Sequence, residues 1–158
     1  MLRRDWLALT SESVIEPDLE ICDPHHHLMD NEHVVYRPAD LYADLASGHK
    51  VTSTVYMECG TGYRADGPEE LRPVGETEYV VGVAAPPGVM AGIVAYADLR
   101  LGGDVEPVLD AHRQAGGARF VGVRFMAATA GPGRASLLQC SGRRGNAFGE
   151  TAEMRDWP

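Results

Sequence analysis

The sequence predicts an α/β fold built on a parallel sheet, and two observations carry the prediction. Short apolar runs alternate with segments of helical periodicity, and a long polar loop follows the second apolar run. Alternation of this kind implies right-handed crossovers between parallel strands, in a doubly wound sheet or in part of a (β/α)8 barrel.

The elements follow in order. A first strand is expected at Leu19–Cys22, closed by Asp23-Pro24-His25-His26-His27. A helix at Pro38–Ser47 opens with proline, places Leu41 and Leu45 four apart and stops at Gly48. Val51–Met57 is a second strand, apolar enough to be buried on both faces. The loop Gly60–Gly75 carries Tyr63, Arg64, Asp66, Glu69, Glu70 and Arg72, and long loops after strand ends are where barrels build their sites. A helix over Glu76–Ala85 aligns Tyr79, Val80 and Val83 before Pro86-Pro87, and a third strand follows at Gly92–Ala97. A last helix at Asp104–Ala115 takes Asp104 as its N-cap and sets Val105, Val108, Leu109 and His112 on one stripe. It ends at Gly116-Gly117, before a fourth strand at Phe120–Arg124. From Met126 the pattern lapses: a Gly-, Arg- and Ala-rich tail offers only an apolar patch at Ser136–Gln139. The organisation expected is therefore residues 1–124 as one α/β unit and 125–158 as an irregular tail.

Composition narrows the function classes. The 158 residues suffice for one domain with a core, and 44% hydrophobic content fits a globular chain. The formal charge of −9, concentrated in the first 124 residues, argues against nonspecific binding to nucleic acid or anionic membranes. Three cysteines, Cys22, Cys59 and Cys140, make no complete disulfide framework, which points to a reducing cytoplasm. Cys22 and Cys59 end apolar runs, where cysteine serves as a small core residue. The basic start, Met1 to Trp6, is followed by no apolar signal region, and no stretch reaches transmembrane length.

The histidine run is the chemical signal. On a strand, Asp23, His25 and His27 share a face, and two imidazoles at a strand end form a metal clamp. His26 is expected to point away into packing. A solvated loop is the competing reading, since H-x-H spacing is common by accident. Asp23 is either a carboxylate that fixes a histidine tautomer or a strand-end residue bonded to backbone. His33 reads as solvated, His49 as helix-end punctuation, and His112 as a satisfied histidine between packed elements.

Together these pieces resemble the amidohydrolase-related (amidohydrolase family 2) barrel hydrolases, more narrowly their lactonase-like branch. The matching segments are IEPDLEICDPHHHLMD at 15–30, VTSTVYMECGTGYRADGPEELRPVGETEYVVGVA at 51–84, AGIVAYADLRLG at 91–102 and EPVLDAHRQAGGARFVGVR at 106–124. The resemblance implies a partial (β/α)8 TIM barrel of about four βα units, where the complete fold has eight and spans about 250 residues. It implies a divalent metal, Zn2+, on His25 and His27, and a small-molecule carbonyl substrate whose lactone ring is opened by water. Glu58 and Arg124, at the ends of the second and fourth strands, are then the candidate catalytic residues, and Arg124 suits a substrate carboxylate. Tyr63, Arg64, Arg72 and Asp98 are candidate substrate-binding residues. A metal-dependent decarboxylase is the alternative enzyme. The further ligands of related barrels have no counterpart here, and after Arg124 the family continues with His where this chain has Phe125. A truncated or frameshifted product is expected, with a genuine variable loop after Arg124 as the competing reading; the fragment would be inactive alone and self-associate through unpaired barrel edges.

Overall fold

The computed structural model describes residues 9–10, 12–84 and 86–125. Met1–Trp6, Ser136–Gln139, Cys140 and the rest of the expected tail beyond Phe125 lie outside the described residues. The strands are β1 (Glu20–His26), β2 (Met29–Asp30), β3 (Val35–Tyr36), β4 (Lys50–Met57), β5 (Gly92–Tyr96) and β6 (Phe120–Arg124). Among the described residues three helices join them: α1 (Pro38–Leu45), α2 (Val74–Val83) and α3 (Glu106–Gly116).

The main sheet has four strands in the order β1-β4-β5-β6, every neighbouring pair parallel. Each member of this sheet therefore lies beside the next member in sequence, and the described strands show no reversal of order of the kind that marks a doubly wound sheet. β2 and β3 form a separate antiparallel ribbon between β1 and α1, an element the sequence had hidden in a loop.

β1 runs on past the expected Cys22 and takes in Asp23, Pro24, His25 and His26. Proline is tolerated because β1 is an edge strand, where a missing N–H costs no ladder bond. The register shifts between Asp23 and His26, so the chain bulges at Pro24-His25. Edge position also leaves Cys22 exposed, a correction to its expected place in the core, while Cys59 is buried as expected.

The core lies between the sheet and its helices: Leu28, Leu41, Tyr56, Val80, Val89, Met90 and Ile93 form one buried cluster. α1 starts at Pro38, and the Asp40 carboxylate accepts the Arg37 backbone N–H at 2.9 Å to close its first turn. It is tied to the end of α2 where Tyr42 donates to the Val83 carbonyl at 2.6 Å. α2 begins two residues before the expected Glu76, directly after Pro73, which puts Glu76 in its first turn. α3 begins at Glu106, so Asp104 is not its N-cap. A 3-10 segment, Leu99–Val105, takes up Asp104, and Pro107 sits in the first turn of the helix.

The connection from α2 to β5 is pinned over β4. Gly88 adopts φ +86 and its carbonyl accepts from Thr54 N at 3.0 Å. A Cβ at Gly88 would stand 2.2 Å from the Thr52 carbonyl oxygen, so this crossing requires glycine. Thr54, buried beneath, accepts the Met90 N–H on its hydroxyl and the Ala91 N–H on its carbonyl. No helix among the described residues is long and apolar enough to cross a membrane.

Candidate metal centre

His25 of β1 and His27, the residue after that strand, meet as their spacing predicts. Nε2 of His25 and Nε2 of His27 lie 3.1 Å apart, with the rings edge to face. Nδ1 of His27 is 2.8 Å from the Met57 carbonyl at the end of β4. A carbonyl only accepts, so Nδ1 carries the proton and Nε2 of His27 presents a lone pair. His25 then donates its Nε2–H to that lone pair when no cation is held. Burial keeps the His27 pKa below the usual imidazole value, with Arg124 adding to the effect against the Met57 carbonyl and Glu58. Both features favour the neutral, metal-binding form.

Asp23 does not join the pair. Its Oδ1 accepts the His25 backbone N–H at 3.0 Å, closing the bulge, and its Oδ2 stands 3.9 Å from His26 Nδ1. The bulge breaks the two-residue alternation, and this is why Asp23 turns toward backbone while His25 and His27 still converge. His26 faces the helix side, buried against the Tyr56 ring. Neither of its ring nitrogens has a hydrogen-bond partner among the described residues. Burial lowers its pKa, as expected of an imidazole kept neutral in the core.

Glu58 and Arg124 are brought together. Arg124 Nε donates to Glu58 Oε1 at 2.9 Å and its Nη2 to the Glu58 backbone carbonyl, joining the ends of β4 and β6 across β5. Glu58 is 3% exposed, so this carboxylate is committed to its guanidinium and is not a solvated strand end. Both charges act on His27, which places them beside the histidine pair at the same end of the sheet.

The loop candidates are engaged elsewhere. Arg64 forms a two-pronged pair with Glu78 of α2, and its N–H donates to the Arg72 carbonyl at 3.0 Å. Arg72 donates through Nε to the Gly67 carbonyl at 3.3 Å, and Tyr63 is half-buried in the same loop. Asp98 accepts from the Arg100 N–H and guanidinium at the start of the 3-10 segment. These contacts hold the loops in shape.

A residue the sequence reading passed over organises the loop. Glu76, 3% exposed, accepts on Oε1 from Tyr56 OH (2.8 Å), Cys59 N (2.9 Å), Gly60 N (3.1 Å) and Thr61 N (3.1 Å). Burial nevertheless pushes its carboxyl above the usual range. The loop it gathers then reaches β1: the Leu28 carbonyl, one residue past His27, accepts from Thr61 Oγ1 at 2.8 Å and Cys59 Sγ at 3.2 Å. Burial raises the Cys59 thiol, and nearby Glu76 adds to this, so Cys59 is a structural group and no thiolate nucleophile. An acid in the first turn of a helix looks ordinary in sequence, and only the three adjacent amides at 59–61 betray it.

The donor set fits a divalent cation in part. Two nitrogens 3.1 Å apart match what two Zn–N bonds of about 2.0–2.1 Å can span. Among the described residues no group of three or more His, Cys, Asp or Glu is placed to hold a metal ion. The described residues thus bring two imidazole donors together without a third ligand beside them.

Comparison with known proteins adds one relative. The chain is 33% identical over 129 residues to y4mH, an uncharacterized protein of Sinorhizobium fredii (strain NBRC 101917 / NGR234). The match covers 68% of this chain and 40% of that protein, so the chain spans about two fifths of the length of the curated relative it matches. No family model matches the chain, and no solved structure matches it.

Proposed function

We propose that residues 20–124 form four βα units of a (β/α)8 barrel of the amidohydrolase-related family, lactonase-like branch. They carry the two-histidine part of its hydrolytic metal centre. The observation that carries the reading is the convergence of the His25 and His27 Nε2 atoms, with His27 locked by the Met57 carbonyl. The sequential order of parallel strands supports it, because a barrel winds in one direction. So does the gathering of His25, His27, Glu58 and Arg124 at the C-terminal ends of the strands.

His25 and His27 would hold the cation, Zn2+ suiting imidazole donors, and a complete centre would need ligands from outside the described residues. A bound divalent metal supplies Lewis-acid polarisation of a carbonyl and a water whose pKa is lowered toward ~7. The chain's own residues do the positioning. Met57 fixes the His27 tautomer, and Asp23 fixes the bulge that turns His25 inward. Glu58 holds Arg124 at the rim, where a guanidinium receives the carboxylate of a small polar acid lactone. Glu58 acts here as a positioning residue, because its carboxylate is already paired.

Zn2+ titration of the 158-residue chain by calorimetry, followed by pH-stat assay against a lactone panel, tests this reading. One Zn2+ per chain is expected, lost in both His25→Ala and His27→Ala, with little or no turnover by the isolated chain. Absence of binding, or binding indifferent to both substitutions, would overturn the metal assignment. Release of CO2 from a carboxylic-acid substrate in place of ring opening would move the chemistry to decarboxylation.

A further inference from the structure

We propose that Glu76 is a positioning residue for the histidine pair, acting through Cys59, Thr61 and the Leu28 carbonyl to hold His27 against the Met57 carbonyl. The consequence for Zn2+ rests on the metal reading above, whereas the hold on the His27 ring does not. Glu76 stands in the first turn of α2, in the helix layer and off the strand that leads to the histidines. Its Oε1 gathers four donors, and three of them are the successive amides of Cys59, Gly60 and Thr61. Three consecutive amides aimed at one oxygen curl the chain tightly round it, and Gly60 adopts φ +87 at the centre of that curl. Shaping the loop would need nothing more.

The curl also turns two side chains onto a single acceptor beyond β1. Thr61 Oγ1 at 2.8 Å and Cys59 Sγ at 3.2 Å both donate to the Leu28 carbonyl. Leu28 follows His27 directly, and its side chain is fully buried in the core. His27 in turn donates Nδ1–H to the Met57 carbonyl at 2.8 Å, just ahead of the curl. Residues 57–61 therefore grip residues 27–28 twice, once by the imidazole and once by the next carbonyl. A slip of about 1 Å between the two segments takes the imidazole contact out of hydrogen-bond range. The hydrogen bond at one ring nitrogen decides the protonation of the other, so that slip also releases the Nε2 lone pair from its fixed place. Glu76 anchors the arrangement because a single oxygen of its carboxylate is the acceptor shared by all three amides.

Nuclear magnetic resonance of the full chain, labelled with nitrogen-15 at histidine and free of metal, reads the tautomer, and the signal lost in His27→Ala assigns it. The His27 proton is expected on Nδ1. Thr61→Val combined with Cys59→Ala removes both donors to Leu28 and keeps the amides on Glu76. This variant should shift His27 toward the Nε2–H form and weaken Zn2+ binding about 10-fold by calorimetry. Glu76→Asp, which keeps the charge but withdraws it by one methylene, should do the same. Glu76→Gln keeps an oxygen in place for the three amides and should retain most of the tautomer and of the affinity. Thr77→Val, on the same helix, removes a buried hydroxyl bond to His112 and should leave the His27 signal unmoved. A native ring protonated on Nε2, or an unmoved His27 signal in Glu76→Asp or in the Thr61→Val, Cys59→Ala variant, would overturn the proposal. An equal shift in Thr77→Val would overturn it too, since it would mark general loosening. The expected tautomer shifts in a chain that binds no Zn2+ would uphold the positioning and defeat the metal reading alone.

Discussion

Nδ1 of His27, on the residue that follows β1, donates to the Met57 carbonyl at the end of β4 across a 2.8 Å contact. One backbone oxygen thereby decides which nitrogen of the imidazole faces the candidate cation. The contact also links two neighbouring strand ends, so the metal-facing geometry depends on the packing of the sheet. The remaining contacts around the pair can be tested one at a time.

Asp23 sets the bulge that turns His25. Asp23→Ala should cost about 1 kcal/mol of stability through the lost acceptor and should weaken Zn2+ binding about 10-fold. Asp23→Asn, which keeps an acceptor oxygen, should retain most of both. Chemical denaturation read alongside metal titration checks the pair, and equal losses in the two variants would point to charge in place of the backbone bond.

Glu76 is predicted to hold the loop after β4. Glu76→Ala leaves the buried Tyr56 hydroxyl and Cys59 amide without their acceptor, at a cost of about 3 kcal/mol or more. Glu76→Gln keeps one acceptor oxygen and should lose less. Hydrogen exchange at the Cys59, Gly60 and Thr61 amides should accelerate in the alanine variant well before global unfolding.

The Glu58–Arg124 pair is asymmetric, with side-chain exposures of 4% and 23%. Arg124→Ala strands a buried carboxylate and should destabilise by about 3–5 kcal/mol. The double variant Glu58→Gln with Arg124→Gln should be more stable than Arg124→Ala alone. Urea midpoints for Glu58→Gln, Arg124→Gln and the double variant complete the cycle.

Acid should weaken the fold through His112. Its Nε2–H donates to the Tyr96 carbonyl at 3.0 Å, and Nδ1 accepts from Thr77 Oγ1 at 2.9 Å, so the buried ring is neutral and satisfied. Burial lowers its pKa below the 6.5 of an unperturbed histidine. The unfolded chain then binds a proton more readily than the folded one, so stability is full above about pH 6.5 and falls as pH drops below it. Each such histidine contributes a slope of at most about 1.4 kcal/mol per pH unit. His26 and His27, also lowered, add to it. Urea unfolding at pH 7.5 and pH 5.5 checks the sign, and His112→Gln should flatten the dependence.

The strands and helices were legible in the sequence because each carries its own signal. The β6 bounds were read without error, and His112 was read as a satisfied histidine from its place on the α3 stripe. The His25–His27 convergence was legible from two-residue spacing. What escaped is what depends on contacts between distant residues. The bulge that diverts Asp23 arises from pairing with β4, and the burial of Glu76 arises from amides at positions 59–61. The β2–β3 ribbon was missed because two residues per strand leave no periodicity to detect.

The order β1-β4-β5-β6 has a consequence for how the chain is made. Every strand of the main sheet docks on the member of that sheet made before it, with the β2–β3 ribbon and α1 intervening only between β1 and β4, so each closure spans one connection. Such a sheet can grow at its trailing edge while translation proceeds, each new βα unit landing on a surface already in place. The growing edge is exposed along with the β1 edge, so at each stage the newest strand joins β1 in being open to a wrong partner.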